Sequence, residues 1–171
     1  MLTKRIYNGT ILSLDTASRK TGYAIYKNGK IVKSGTWILK PSVRFADLYN
    51  HIVEAINKHN VTKIIAEDIF KDDSKPNAYE VLAECRGVVE CVSQLHKLSI
   101  SFIRPIAIKQ HIYGVQYKSW NTKIDHKELM IKRIKKLGYS LEKDNADDEA
   151  DAIGLLITYL NNHNYIVKHP K

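Results

Sequence analysis

Ile11 to Tyr26, ILSLDTASRKTGYAIY, is the stretch on which the fold turns. Ile11, Leu12 and Leu14 form an apolar run that leads directly into Asp15. Gly22 closes a polar turn, and Tyr23, Ala24, Ile25 and Tyr26 run back. A strand, a turn and a return strand with glycine just before the return make a hairpin signal. A carboxylate that ends an apolar strand has two uses. It accepts hydrogen bonds from turn amides, or it faces a positive group that the rest of the chain supplies.

Outward from this hairpin, Lys27-Asn28-Gly29-Lys30 is a second turn of the Asn-Gly type, and Ile31 to Leu39 supplies a third strand. Pro41-Ser42 opens a helix to about Asn57, with Phe45, Leu48, His51, Ile52 and Ala55 spaced for one face. Val61 to Ala66 is a short strand that ends in Glu67-Asp68. A helix follows from about Asn77 to Lys97, with Val81, Leu82, Cys85, Val88, Val89, Val92 and Leu95 on one stripe. Ser99 to Ile103 is a fifth strand, and Pro105 starts a brief helical turn ending near Gly114. Past an aromatic-laced loop come a basic helix, about Ile124 to Leu137, and a last helix, about Ala146 to Asn161. The order β-β-β-α-β-α-β-α-α implies an α/β fold with a mixed five-stranded sheet and helices on both faces. Strand one lies centrally in it, beside the strand that follows the first helix.

The 171 residues suit one domain, 1–171, with its core over about 10–161. The 44% apolar and 26% charged composition is that of a soluble globular chain. No apolar run approaches the ~20 residues of a membrane span, and MLTKRIYNGT lacks the apolar centre of a signal peptide. Cys85 and Cys91 fit no zinc or redox spacing and read as buried thiols of a reduced, cytoplasmic protein. The formal net charge is +9. Between Arg104 and Lys136 nine Lys and Arg residues stand against two acids, Asp125 and Glu128. Positive charge concentrated in this way points to a polyanion, and to nucleic acid before membrane.

The carboxylates then gain a purpose. Asp15 ends strand one and Glu67 ends strand four, so both emerge at one edge of the sheet. Asp148 and Asp151, three apart, share a face of the last helix that continues through Ala152, Leu155 and Tyr159. Asp147 and Glu149 point elsewhere. Helix-dipole stabilisation accounts for Asp147, but Asp151 lies a turn further in, beside the apolar stripe. Four converging carboxylates repel unless a counter-charge is present. Hard divalent cations supply it, and two ions about 3.5–4 Å apart suit phosphodiester cleavage.

Five segments in order resemble the RuvC-type Holliday-junction resolvases, a family with the ribonuclease-H-like fold. Asp15-Thr-Ala-Ser-Arg-Lys-Thr-Gly22-Tyr23 resembles the family's D-x-G-S-R-x-T-G-Y, and Glu67-Asp-Ile-Phe70 its E-x-x-F. Arg86-Gly87 resembles its R-G, Pro105-Ile-Ala-Ile-Lys109-Gln110 followed by Gly114 its P-x-x-V-K-Q…G, and Asp148-Glu-Ala-Asp151-Ala152 its D-x-x-D-A. The resemblance implies a metal-dependent crossover junction endodeoxyribonuclease that cuts two symmetrical strands of a four-way junction. Asp15, Glu67, Asp148 and Asp151 would be its catalytic metal ligands, holding Mg2+, two ions per site, with Mn2+ as a substitute. Lys109 would act at the scissile phosphate and Phe70 at the junction centre. Arg19, Lys118 and Lys123 join Lys109 and Phe70 as DNA-binding candidates, and Ser18 as a phosphate contact. Paired incision implies a homodimer, for which the Asn77–Lys97 helix is the candidate element. A bacterial or bacteriophage host is implied, with no sequence signal for a branch-migration motor.

Two departures stand out. Ala17 occupies a family glycine position, so the turn there must avoid positive φ or tolerate it. The family's second functional lysine is bracketed by Lys118 and Lys123, with Trp120 between them. The competing functions are a nuclease for flaps or RNA–DNA hybrids and a non-catalytic junction-binding protein. The full carboxylate set weighs against the latter, because acids beside phosphates weaken binding without metal.

Overall fold

A computed structural model describes residues 3–69, 76–114 and 125–170. Five strands, β1 (Thr10–Thr16), β2 (Lys20–Lys27), β3 (Lys30–Ile38), β4 (Lys63–Glu67) and β5 (Ser99–Ile103), form one sheet in the order β3-β2-β1-β4-β5. The first three make an antiparallel meander, whereas β1–β4 and β4–β5 pair in parallel. The helices among the described residues are α1 (Arg44–His59), α2 (Pro76–Leu95), α3 (Pro105–Tyr113), α4 (His126–Lys136) and α5 (Ala146–Asn162). The expected mixed sheet is therefore present. The brief turn after Pro105 is a full nine-residue helix, started by proline at its first position.

Alternation along the central strands sorts the core into two layers. Leu12, Leu14, Ile25 and Ile64 pack with Leu48 and Ile52 of α1 and with Cys85, Val89 and Val92 of α2. Ile11, Ala24, Tyr26 and Ile65 pack under α5, with Met130 and Ile134 of α4 and Ile108 of α3. Strand β1 is buried on both sides, which is why its apolar run is nearly unbroken. The second turn adopts the left-handed conformations that an Asn-Gly pair favours, with φ of 53° at Asn28 and 85° at Gly29.

Three side chains depart from the expected core. Cys91 is exposed, Leu95 is 64% exposed and Phe45 is 38% exposed. The first two sit on the outer side of α2, where an apolar pattern continues round the helix beyond the face the sheet covers. Cys85 is buried as expected.

Candidate active site

The parallel pairing of β1 with β4 runs Ile11–Lys63, Leu12–Ile64, Ser13–Ile65 and Leu14–Ala66. The next residues along each strand are Asp15 and Glu67, so the register delivers two carboxyls side by side. Both follow the parity of Ser13 and Ile65, which face α5. The turn after Asp15 closes through backbone: Ala17 N–H donates to the Lys20 carbonyl at 2.9 Å. Ala17 avoids positive φ, so the turn does not require glycine there. The Asp15 carboxyl is hydrogen-bonded to Glu67 instead of capping the turn.

Two carboxyls sharing a hydrogen bond share a proton. Burial, then the charge and hydrogen bond of Glu67, hold Asp15 well above the usual carboxylate range. Burial likewise raises Glu67 to about 7, against the lowering effect of its bond to Asp15 and of Lys109. All four candidate acids keep partial access to solvent. Each is half-buried, so desolvation acts on all four while solvent still reaches them.

Helix α5 brings the other pair. It is stitched to the meander by three side chains from two strands, β1 and β3. Ser13 Oγ donates to the Ala152 carbonyl at 2.9 Å, Thr36 Oγ1 to the Asn145 carbonyl at 3.3 Å, and Ser34 Oγ to Glu149 Oε1 at 2.6 Å. Gly22 lies against the Asp148 carbonyl with no room for a Cβ. This close approach is what the glycine before the return strand provides. Asp151 and Asp148 then face the sheet, with Ala152, Leu155 and Tyr159 buried along the same side. Burial, then the charge of Asp15, pushes Asp151 up to about 8. Asp148 is raised by burial and by Asp147, and drawn back by Lys20.

Cations flank the cluster. The charge of Lys109, on α3, opposes the upward shift of both Glu67 and Asp151, as a lysine on the cleft wall does. Lys20 lies 3.8 Å from Asp148 Oδ2 and donates to Asn145 Oδ1. Lys127, in the first turn of α4, bonds Asp147 at 2.6 Å, which raises the lysine and lowers the acid. Arg19 sits exposed in the turn after β1. Phe70, Lys118 and Lys123, together with Trp120, lie outside the described residues.

An all-oxygen set of half-buried carboxyls, with charge to spare over the lysines that face it, fits a hard divalent ion. Among the described residues no three such ligands are yet drawn round one point. The proton held between Asp15 and Glu67 would have to leave for both to serve as ligands.

Four contributors escape a reading of the sequence alone. Glu149 does not point away: it is 2% exposed, accepting from Ser34 and from the Glu142 backbone N–H at 2.7 Å. It pins the approach to α5 onto β3. Lys20 and Asn145 meet across 125 residues of sequence, which no local pattern reveals. On the opposite face of the sheet, Arg86 of α2 pairs with Asp68, bonds Glu90 at 2.9 Å and covers the Phe102 ring at 3.8 Å. Asp68 N–H also donates to the Ile103 carbonyl at 2.8 Å. The residue after Glu67 is thus fixed from the far side, and the Arg-Gly motif was the available signal for it.

The family model described as crossover junction endodeoxyribonuclease RuvC matches residues 11–159. A RuvC of Hydrogenovibrio crunogenus is 27% identical over 150 residues, covering 84% of either chain. One of Dictyoglomus turgidum is 26% identical over 161 residues, covering 88% of this chain and 95% of that one. Among solved structures, Thermus thermophilus RuvC in complex with Holliday junction substrate aligns with a TM-score of 0.71 at 12% identity, over 95% of this chain and 100% of that one. A yeast mitochondrial Holliday junction resolvase aligns with a TM-score of 0.62 at 15% identity, over 91% and 79%. At such identities the structural likeness speaks for the ribonuclease-H-like fold.

Proposed function

This chain belongs to the RuvC family of crossover junction endodeoxyribonucleases, and we propose that the cleft between β1, β4 and α5 is where it cuts. It is a metal-dependent hydrolase that resolves four-way DNA junctions. The observation that carries the site is the convergence of Asp15, Glu67, Asp148 and Asp151, whose shifts are driven by burial and by neighbouring carboxyls. Their oxygens would hold Mg2+, two ions, with Mn2+ as substitute; such ions supply a nucleophilic water and charge stabilisation at the phosphate.

The protein's own groups do the rest. Asp15 and Glu67, held protonated between them in the metal-free protein, would carry the charge that such an ion needs once that proton is lost. Lys109, facing Glu67 and Asp151, is placed to pair with a phosphate oxygen and to offset charge that builds up during cleavage. The exposed side of α4, with Lys132, Arg133, Lys135 and Lys136, offers a sequence-independent track for a duplex arm. Phe70, Arg19, Lys118 and Lys123 are further DNA contacts in this reading, with Phe70 stacking at the branch point.

Paired cuts need two clefts, so the unit is a homodimer built from one nuclease domain per chain. The outer side of α2 supports this: Gly87, Cys91 and Leu95 are exposed there, and a Cβ on Gly87 meets nothing within 4 Å among the described residues. The test is incubation with a synthetic four-way junction, a linear duplex, a flap and an RNA–DNA hybrid, with and without Mg2+. Symmetrical nicks in the junction alone, only with the ion, are expected. Preferential cutting of the hybrid or flap would assign a different substrate, and binding without cutting would remove the chain from the nucleases.

A further inference from the structure

We propose that Lys20 is a positioning residue for cleavage: through the carboxamide of Asn145 it latches the first turn of α5, and with it Asp148, to the β1–β2 hairpin. The proposal rests on the reading of Asp148 as a metal ligand.

Asn145 precedes α5 in the left-handed conformation, φ 69° and ψ 27°, a region asparagine tolerates better than most residues. An asparagine at this position normally caps the helix by accepting from its first amides. Here its carboxamide makes no bond into the helix. The oxygen accepts from Lys20 Nζ instead. The helix amides that an asparagine cap would have taken are left facing the acids of the first turn: the Asp148 amide lowers both Asp147 and Asp148. Diverting the cap residue to the hairpin therefore does two things. It ties α5 to the sheet, and it leaves the first-turn amides facing Asp147 and Asp148.

The latch sits where tolerance is smallest. Lys20 begins β2, and two residues on, Gly22 is packed against the Asp148 carbonyl. Lys20 Nζ itself is 3.8 Å from Asp148 Oδ2, and Thr36 of the neighbouring strand holds the Asn145 carbonyl. Asp15 ends β1 and pairs in register with Gly22. Strain or slack in the latch therefore changes the spacing between Asp15 and Asp148.

Four variants, K20M, K20R, N145G and the K20M/N145G double, test the latch, because glycine keeps the left-handed backbone while removing the carboxamide. Single-turnover cleavage of a saturating junction, junction affinity, and Mn2+ binding to the DNA-free protein by calorimetry are the readouts. K20M and N145G should each slow cleavage by roughly ten- to a hundredfold, the range for a small misplacement of reacting groups, with junction affinity unchanged. The double variant should be no slower than the slower single, as expected for two ends of one contact. K20R should restore cleavage. N145G, whose charge is unchanged, should bind Mn2+ more weakly than wild type. Wild-type cleavage and Mn2+ affinity in N145G, or multiplying losses in the double, would overturn the latch. D148N separates the two claims: if D148N cleaves normally the ligand reading fails, whereas an inactive D148N beside a fully active N145G removes the latch alone. If K20M does not fold, N145G decides by itself.

Discussion

Gly22 and the carbonyl of Asp148 are packed so closely that any side chain at position 22 would have to displace α5 from the sheet. The obstacle is backbone, not a flexible side-chain end. Gly22→Ala should therefore cost about 1–3 kcal/mol, the range for overpacking, and should lose cleavage out of proportion to that cost because Asp148 moves. Thermal melting and single-turnover cleavage of a four-way junction measure the two effects. A variant with a lowered melting point but full activity would show that the contact serves packing only.

The raised carboxyls make the metal-free protein sensitive to pH. Glu67 is raised to about 7 and Asp151 to about 8, so between the ordinary carboxylate range and those values the folded chain holds protons that the unfolded chain has lost. Stability accordingly falls as pH rises across that window. Divalent ion should reverse the trend by binding the ionised form. Asp151→Asn removes one charge, and in chelator at pH 8 it should raise stability by roughly 1 kcal/mol after allowing for solvent in the cleft. Melting curves at pH 5 and pH 8, with chelator and with Mn2+, check both signs; a metal-free protein more stable at pH 8 would contradict the cluster.

Arg86 holds Asp68 on one face of the sheet while Glu67, its neighbour, faces the other. Because successive strand residues alternate, a restraint on one is a restraint on both. Arg86→Gln should cost about 1–3 kcal/mol from the broken charged bonds and the lost contact with Phe102. It should also slow cleavage. Lysine lacks the planar fork that reaches Asp68 and Glu90 together, so Arg86→Lys should recover little. Full activity in Arg86→Gln would disconnect the far face from the site.

Junction affinity should fall steeply with salt, since phosphate contacts release counterions. Neutralising Lys132, Arg133, Lys135 and Lys136 together should flatten that dependence while leaving the metal-free melting profile of the acid cluster in place. Binding measured across a salt series distinguishes this from a loss of fold. An unchanged slope would move the duplex arm off α4.

The sequence was most informative where chemistry and periodicity coincide. Asp15 and Glu67 could be placed because each ends an apolar strand, and Asp148 with Asp151 because their spacing follows a buried stripe. Lys109 was legible from its motif, and its charge does act on Glu67 and Asp151. Glu149 was misread because a helix start with three acids gives no local sign of which one is buried. Its partners, Ser34 and the Glu142 amide, come from elsewhere. Lys20 and Asn145 were silent for the same reason. On α2, small and apolar residues run round the helix, so Cys91 and Leu95 looked like core although the sheet covers only the other side.

The most direct test of the cleft is the rate at which Glu67→Gln cuts a four-way junction to which it is already bound, with Mg2+ present. Glutamine keeps the shape and a hydrogen-bonding partner for Asp15 but cannot carry the charge. The expected result is retained junction binding with cleavage reduced by at least about a thousandfold, the scale on which removing a group that acts at the reacting centre is felt. Cleavage at the wild-type rate would contradict the assignment of Asp15, Glu67, Asp148 and Asp151 as one metal-binding site.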